Sequence, residues 1–158
     1  MVKRKKSSSK KTSAKASTKK TSPTTKKKVV IPEKASVSHF EVPFEDLDRA
    51  KEFYSSVFGW NFVDVPDIDY TMVYSVDVDE KQMPVKSGAI NGGFVKRSEV
   101  QQSPTLVMTV KSIDKTLKIL EKFGGSVAHG KEEVPNMGYF ALVKDSEQNV
   151  IGIWEAKS

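Results

Sequence analysis

Residues 39–60 read HFEVPFEDLDRAKEFYSSVFGW and place a helix pattern directly after a strand pattern. Between the acidic pair at 45–46 and Gly59, apolar side chains recur at helical spacing: Leu47, Ala50, Phe53, Tyr54 and Val57. Gly59 suits the left-handed residue that follows the last turn of a helix. The stretch therefore predicts a strand followed by an amphipathic helix near residues 46–58.

The same pattern returns later in the chain. Asp114 lies 66 residues after Asp48, and this offset also aligns Gly59 with Gly125 and the first helix with a second one predicted at 112–123. Strand-like runs precede the two helices, at 37–42 and 105–110. Three more runs follow each helix, at 61–65, 70–78 and 87–95 and at 126–128, 139–144 and 149–155. The chain thus predicts an α+β fold of two βαβββ modules, about residues 35–97 and 103–158.

A βαβββ module has one helix, which covers one face of its small sheet. Two modules on one chain can set their curved mixed sheets side by side, so that the uncovered faces enclose a cleft. Alternation on the first strand turns Phe40 and Val42 to the helix and His39 and Glu41 to the cleft. Because Glu155 ends the last strand, we expect His39 and Glu155 to converge in the cleft from opposite ends of the domain.

The charged residues are divided unevenly along the chain. The first 28 residues carry 12 of the 26 basic side chains and no acidic one, so the remainder holds 14 basic against 20 acidic side chains, a net of −6. We expect a disordered basic tail over residues 1–34, because Lys, Ser, Thr and Ala bury too little apolar surface. A solubilising role is one alternative, and a mitochondrial transit peptide fits less well because the tail has one Arg and no apolar face. The other alternative is contact with nucleic acid regardless of its sequence, through basic side chains that include Lys3, Arg4, Lys5, Lys6, Lys10 and Lys11.

The composition excludes several kinds of site. Without cysteine there is no disulfide framework, thiolate nucleophile or cysteine-ligated zinc, and the only imidazoles are His39 and His129. No run approaches the roughly 20 consecutive apolar residues of a membrane-spanning helix. The N-terminus has no apolar core for a secretory signal. We therefore expect a soluble, cytoplasmic protein.

Three stretches resemble the vicinal oxygen chelate superfamily, which includes glyoxalase I, the bleomycin-resistance proteins and the extradiol dioxygenases. They are residues 39–60, quoted above, SGAINGGF at 87–94 and DSEQNVIGIWE at 145–155. The two modules together cover nearly all of residues 35–158, and the run from Phe53 to Trp60 is typical of small glyoxalase-like members. The turn at 145–149 departs from the family's Asp-Pro-x-Gly-Asn pattern but keeps its first Asp and last Asn.

The resemblance implies a set of metal ligands on the first and last strands of each module. In metal-using members, up to four such side chains hold a divalent ion that binds vicinal oxygens of the substrate. By position, His39 and Glu155 match two of these ligands, and Glu155 would also be the catalytic carboxylate. Thr105 stands where the second module would offer its histidine, and Asn91 replaces the other carboxylate. The implied cofactor is one divalent ion (zinc, nickel, manganese or iron) or none, because catalytic zinc usually keeps three protein ligands.

Two functions follow from the resemblance. The first is a metal-dependent lyase, isomerase or oxygenase such as a dioxygenase, in which His39 and Glu155 hold an ion that polarises a substrate oxygen. The second is a metal-free module of the bleomycin-resistance type, which binds or sequesters a small molecule. A homodimer is compatible with both. In either case the expected ligand-binding side chains are Glu41, Asn91, Thr105 and Tyr139.

Overall fold

The computed structural model describes residues 33–66 and 68–157. The predicted basic tail, with the side chains proposed to contact nucleic acid, lies outside these residues except for its last two positions. Within the described residues, no helix combines the length and apolar character needed to cross a membrane.

The described chain follows the predicted order of one strand, one helix and three strands, and then repeats it. The first module consists of β1 (Ser36–Phe44), α1 (Leu47–Phe58), β2 (Asn61–Val65), β3 (Tyr70–Tyr74) and β4 (Gly92–Lys96). The second consists of β5 (Thr105–Thr109), α2 (Ile113–Leu120), β6 (Ser126–Val134), β7 (Gly138–Lys144) and β8 (Val150–Ala156). The predicted α+β class and the two βαβββ modules are therefore confirmed.

All eight strands join in one curved mixed sheet, in the order β2-β3-β4-β1-β5-β8-β7-β6. At its centre β1 runs antiparallel to β5, while β1 is parallel to β4 and β5 is parallel to β8. Phe40 faces Leu106 across the central junction, and these residues are 66 positions apart, like the aspartates that begin the two helices. The sequence repeat therefore appears in the fold as an approximate two-fold relation between the modules.

Helix α1 is capped at both ends, and Gly59 takes the predicted left-handed conformation. The Asp46 side chain accepts a hydrogen bond from the Arg49 N–H at 2.9 Å, and Gly59 is left-handed with φ of 69°. The helix packs on the sheet through aromatic rings, because Tyr54 lies 4.9 Å from Trp60, measured between ring centroids, and 5.4 Å from Phe94 of β4. The ring of Phe40 joins this layer, as expected for its position on β1.

Helix α2 is shorter than predicted. It begins after Ser112 and ends at Leu120, and a 3₁₀ turn, Glu121–Phe123, completes the predicted segment. The left-handed residue is Gly124, one position before the Gly125 that the repeat assigns, because a 3₁₀ turn uses fewer residues than an α-helical turn. The core beneath α2 is formed by Ile113, Ala141, Val143 and Ile153, with Leu117 and Leu120 packed against it.

Three strands, β3, β4 and β6, differ most in length from the predicted runs. β3 stops at Tyr74 and β4 starts at Gly92. Between them, the side-chain oxygen of Asn91 accepts hydrogen bonds from the backbone N–H groups of Ser75 and Val76, at 2.9 and 3.2 Å, in place of strand pairing. The segment between β3 and β4 is therefore mostly loop. β6 is longer than expected, and it continues to Val134 through two register shifts.

Gly92 lies against the ring of Phe40, and an added Cβ would overlap three atoms of that ring. We expect Gly92→Ala to lower the free energy of unfolding by about 1–3 kcal/mol, because a packed core must shift to admit an extra methyl group. Gly130→Ala is the matched control, since no other atom lies within 4 Å of its Cβ position. Urea denaturation measures both variants, and equal stability would show that the Phe40 ring moves aside freely.

Candidate functional site

A polar cluster lies on the sheet face opposite α1 and α2, called here the cleft face. β1 presents His39 and Glu41 on this face, because Phe40 between them packs on the helix side. Gly93 of β4 pairs with Glu41, and the Tyr70 hydroxyl occupies the space that a Cβ on Gly93 would need. Tyr70 therefore reaches from β3 across β4 to the centre of the sheet, as the strand order requires.

His39 and Tyr70 form the first pair of the cluster. The Nε2 atom of His39 lies 2.6 Å from the Tyr70 hydroxyl oxygen. Burial lowers the pKa of His39 to about 4, because an apolar surrounding disfavours the charged imidazolium. Burial also raises the pKa of Tyr70, and the negative charge of Glu41 adds to this effect. Both side chains are thus uncharged near neutral pH, and either can donate the hydrogen bond, depending on the histidine tautomer.

Glu41 and Gln101 form the second pair. Glu41 is only 6% exposed, and its Oε2 atom accepts a hydrogen bond of 2.6 Å from the Gln101 amide. Burial raises the pKa of Glu41, and the Gln101 hydrogen bond offsets part of that rise. Gln101 comes from the loop before β5, where the Ser98 hydroxyl accepts from its backbone N–H at 3.1 Å.

Glu155 lies on the opposite face of the sheet from His39. Ile153 belongs to the core under α2, and Glu155, two residues later on β8, points to the same side. Its Oε2 atom accepts hydrogen bonds from the Ile113 N–H at 2.7 Å and from the Lys131 ammonium at 3.0 Å. The backbone bond from Ile113 is the main reason that the pKa of Glu155 is lowered. The structure therefore does not bring Glu155 and His39 together, because Glu155 holds the start of α2.

The other predicted ligand-binding residues are divided between the two faces. Tyr139 pairs with Glu155 on the helix side and packs against the α2 core. The Lys131 ammonium lies 4.3 Å from the centroid of its ring. Thr105 pairs with Glu41 on the cleft face, but it is 1% exposed and its hydroxyl donates to the Ser103 carbonyl at 3.2 Å. The Asn91 side chain is hydrogen-bonded to the backbone of Ser75 and Val76 in the loop after β3. Of the four predicted ligand-binding residues, Glu41 thus belongs to the cluster and Thr105 lies beside it.

The residues of the cleft face do not fit a catalytic metal ion. On this face the last strands of the two modules offer Gly93 and Gly152, and aromatic rings fill the space above both. A Cβ on Gly93 would overlap Tyr70, and one on Gly152 would lie 3.0 Å from Phe140. In residues 33–66 and 68–157, no group of three or more His, Asp or Glu side chains could hold a metal ion. His39 thus lacks the further ligands that a catalytic zinc ion needs.

Sequence reasoning missed Tyr70 and Gln101. The run from Tyr70 to Tyr74 alternates and so predicts a shared face for Tyr70 and Met72, but nothing local identifies the histidine that Tyr70 reaches. Gln101 lies in a polar loop without a recognisable motif. Both contacts depend on the arrangement of strands and loops that are distant in sequence.

An open depression of about 370 Å³ lies at the C-terminal end of β3. Its lining includes Asn61, Tyr74, Asp77 and Lys86, and Tyr74 shares the cleft face with Tyr70 by alternation. The depression does not include His39 or Glu41. The candidate site is therefore centred on the buried polar cluster, where the titratable groups lie.

Comparisons with known proteins agree with this fold. The model of the bleomycin resistance protein-like N-terminal family matches residues 37–74, which extend from β1 to β3. A search of curated protein sequences finds no significant match.

Solved structures match a larger part of the chain. A hypothetical protein from Bacillus halodurans has 12% identity and a TM-score of 0.54, over 80% of this chain and 97% of its own. Methylmalonyl-CoA epimerase from Mycobacterium tuberculosis has 16% identity and a TM-score of 0.52, over 77% and 87%. The Streptomyces coelicolor epimerase in complex with 2-nitronate-propionyl-CoA has 12% identity and a TM-score of 0.52, over 77% and 97%. At such identities the likeness shows the fold alone.

The low pKa of His39 predicts a loss of stability in acid. The His39 side chain binds a proton near pH 6.5 in the unfolded chain but only near pH 4 in the folded chain, so its contribution to stability is complete above about pH 6.5 and is lost as the pH falls towards 4. We expect His39→Gln, which cannot titrate, to lose less stability than the unmodified protein on acidification through this window. Glu41 has a raised pKa and so adds stability as the pH falls, but it does so in both proteins, and the comparison removes its contribution.

Thermal unfolding at a series of pH values measures this difference. His129→Gln is the control, because His129 is half-exposed and lies 2.8 Å from Glu132 at the edge of the sheet. The prediction fails if His39→Gln and the unmodified protein lose stability in parallel.

Proposed function

Because the chain has the glyoxalase-like fold of the vicinal oxygen chelate superfamily, we propose that its cleft face binds a small molecule without a metal ion. The observation that carries this proposal is the pair of glycines on the last strands. Gly93 and Gly152 have no donor atoms in their side chains, and the rings of Tyr70 and Phe140 lie against them. The arrangement favours a binding or sequestering module of the bleomycin-resistance type.

The composition of the cleft face supports small-molecule binding. Sites of this kind combine apolar and aromatic walls with a few polar groups that orient the ligand. In the second module, Trp154 of β8 pairs with Phe140 of β7 on the cleft face, and both rings are partly exposed. In the first module, His39, Tyr70 and Glu41 supply hydrogen-bonding groups. A planar ligand could contact the rings while it bonds to the polar cluster.

A metal-dependent lyase, isomerase or oxygenase would require a different arrangement of Glu155. Its carboxylate would have to leave the Ile113 N–H and the Lys131 ammonium and reach the other side of the sheet. That change would break a charge-assisted hydrogen bond at the N-terminus of α2, where negative charge is favourable. The geometry therefore favours the metal-free alternative.

Metal content tests this choice between the two functions. We expect protein purified without chelators to contain less than stoichiometric zinc, nickel, manganese or iron, and we expect neither His39→Ala nor Glu155→Ala to change it. Glu155→Ala should instead lower the free energy of unfolding by about 1 kcal/mol, because α2 loses the carboxylate at its first N–H groups. Elemental analysis and urea denaturation measure the two effects. Stoichiometric metal that both substitutions remove would establish the metal-dependent enzyme.

The sequence of the tail favours a second function, contact with nucleic acid. The 12 basic side chains of residues 1–28 are accompanied by no acidic one, whereas the rest of the chain has a net charge of −6. Each phosphate neutralised by a lysine releases counterions, so such contact is independent of base sequence. In the cytoplasm, where we expect this protein, nucleic acid is an abundant anionic polymer. We propose that the tail, and not the domain, makes this contact.

Removal of the tail should abolish binding to a short DNA duplex. We expect the full chain to bind weakly and to lose affinity steeply as salt rises, while a chain that begins at Val29 does not bind, because the net negative domain repels phosphate. Fluorescence anisotropy at two salt concentrations measures both proteins. Equal binding by the two would identify the tail as a solubilising extension, and binding that is independent of salt would contradict the electrostatic basis.

A further inference from the structure

Glu41 is the one charged side chain that is more than nine-tenths buried among the described residues. It lies at the centre of the cleft face, between Gly93 on β4 and Thr105 on β5. In the described part of the chain its carboxylate accepts one hydrogen bond, from Gln101 to Oε2, and it has no ion-pair partner. A buried carboxylate is stable when it is paired or fully hydrogen-bonded, so Glu41 has capacity for another donor.

We propose that the ligand of the cleft face carries a cationic nitrogen group that binds the carboxylate of Glu41. This inference rests on the proposed function and specifies the chemical class of its ligand. A planar amidinium or guanidinium group is the best match, because it offers parallel N–H donors to a carboxylate.

The surrounding groups favour a cation over a neutral or anionic ligand. His39 and Tyr70 approach Glu41 from β1 and β3 without charge, and Gly93 and Thr105 contribute none. The guanidinium of Arg97, which follows β4, lies 3.3 Å from Glu45, so its charge is already paired. In the described part of the chain, no Lys or Arg side chain forms an ion pair with Glu41.

An aromatic ring lies beside Glu41 on the cleft face. The phenol ring of Tyr70 lies over Gly93, next to Glu41, and is held by its hydrogen bond to His39. An aromatic face beside a bound cation adds a further attraction.

Three single-ring probes of nearly equal shape separate charge from size: benzamidine is cationic, benzamide is neutral and benzoate is anionic. Titration followed by 1H–15N NMR should show benzamidine binding most tightly, with shifts at the amides of Glu41, Gly93 and Thr105. We expect Glu41→Gln to weaken benzamidine binding by about tenfold or more and to leave benzamide unchanged. Glu52→Gln is the matched control, because it removes the same charge from the exposed surface of α1.

A second measurement does not depend on any variant. Benzamidine stays protonated from acidic to mildly basic pH, so its affinity should rise with pH as Glu41 ionises. His39 and Tyr70, the other titratable groups that face Glu41, remain neutral near pH 7 and do not add to this rise.

The outcomes distinguish the inference from the function on which it rests. Equal binding of benzamidine and benzamide, or equal loss in Glu41→Gln and Glu52→Gln, would overturn the cationic ligand while small-molecule binding stands. If none of the three probes shifts the cleft-face amides, both proposals fail.

Discussion

Five residue pairs join β1 to β5 in antiparallel register around Phe40 and Leu106, and the remainder of the structure depends on this junction. Each module alone would leave its first strand at an edge, with unpaired backbone groups. The junction satisfies those groups and makes one sheet of eight strands. It also places Thr105 beside Glu41 and Val107 beside His39, so the central residues of the candidate site come from both modules.

The glycines of β4 and β8 determine what this sheet can do chemically. Gly92 admits the Phe40 ring on the helix side, and Gly93 admits the Tyr70 ring on the cleft side. Gly152 has the corresponding role beneath Phe140. Where side chains could have supplied metal ligands, the chain thus has ring surfaces. Because glycine has no side chain, Gly93 and Gly152 offer no metal ligand and leave room for the rings of Tyr70 and Phe140.

Two carboxylates on opposite faces show how environment assigns different roles to the same chemical group. Glu155 receives a backbone N–H and an ammonium group, and these donors lower its pKa and make it part of the α2 N-terminus. Glu41 is buried with one amide donor, and its pKa is raised. The Glu155 carboxylate is bound by donors of the domain itself, whereas the Glu41 carboxylate can accept a further hydrogen bond.

The elements and their order could be predicted from the sequence, because they depend on local features. Helical spacing, the acidic pair before α1 and the glycine after it all act within a few residues of the chain. Alternation likewise assigned His39 and Glu41 to one face, and the repeat of 66 residues predicted the relation between the modules.

The composition of the site depended on tertiary structure. Alternation separates Glu155 from Gly152 and Trp154, but only the packing of α2 on Ile153 shows that Glu155 lies on the helix side. Tyr70 meets His39 because β4 lies between their strands, and Gln101 meets Glu41 through a loop with no pattern of its own. These contacts join residues 31 and 60 positions apart, and local periodicity carries no information about register between distant strands.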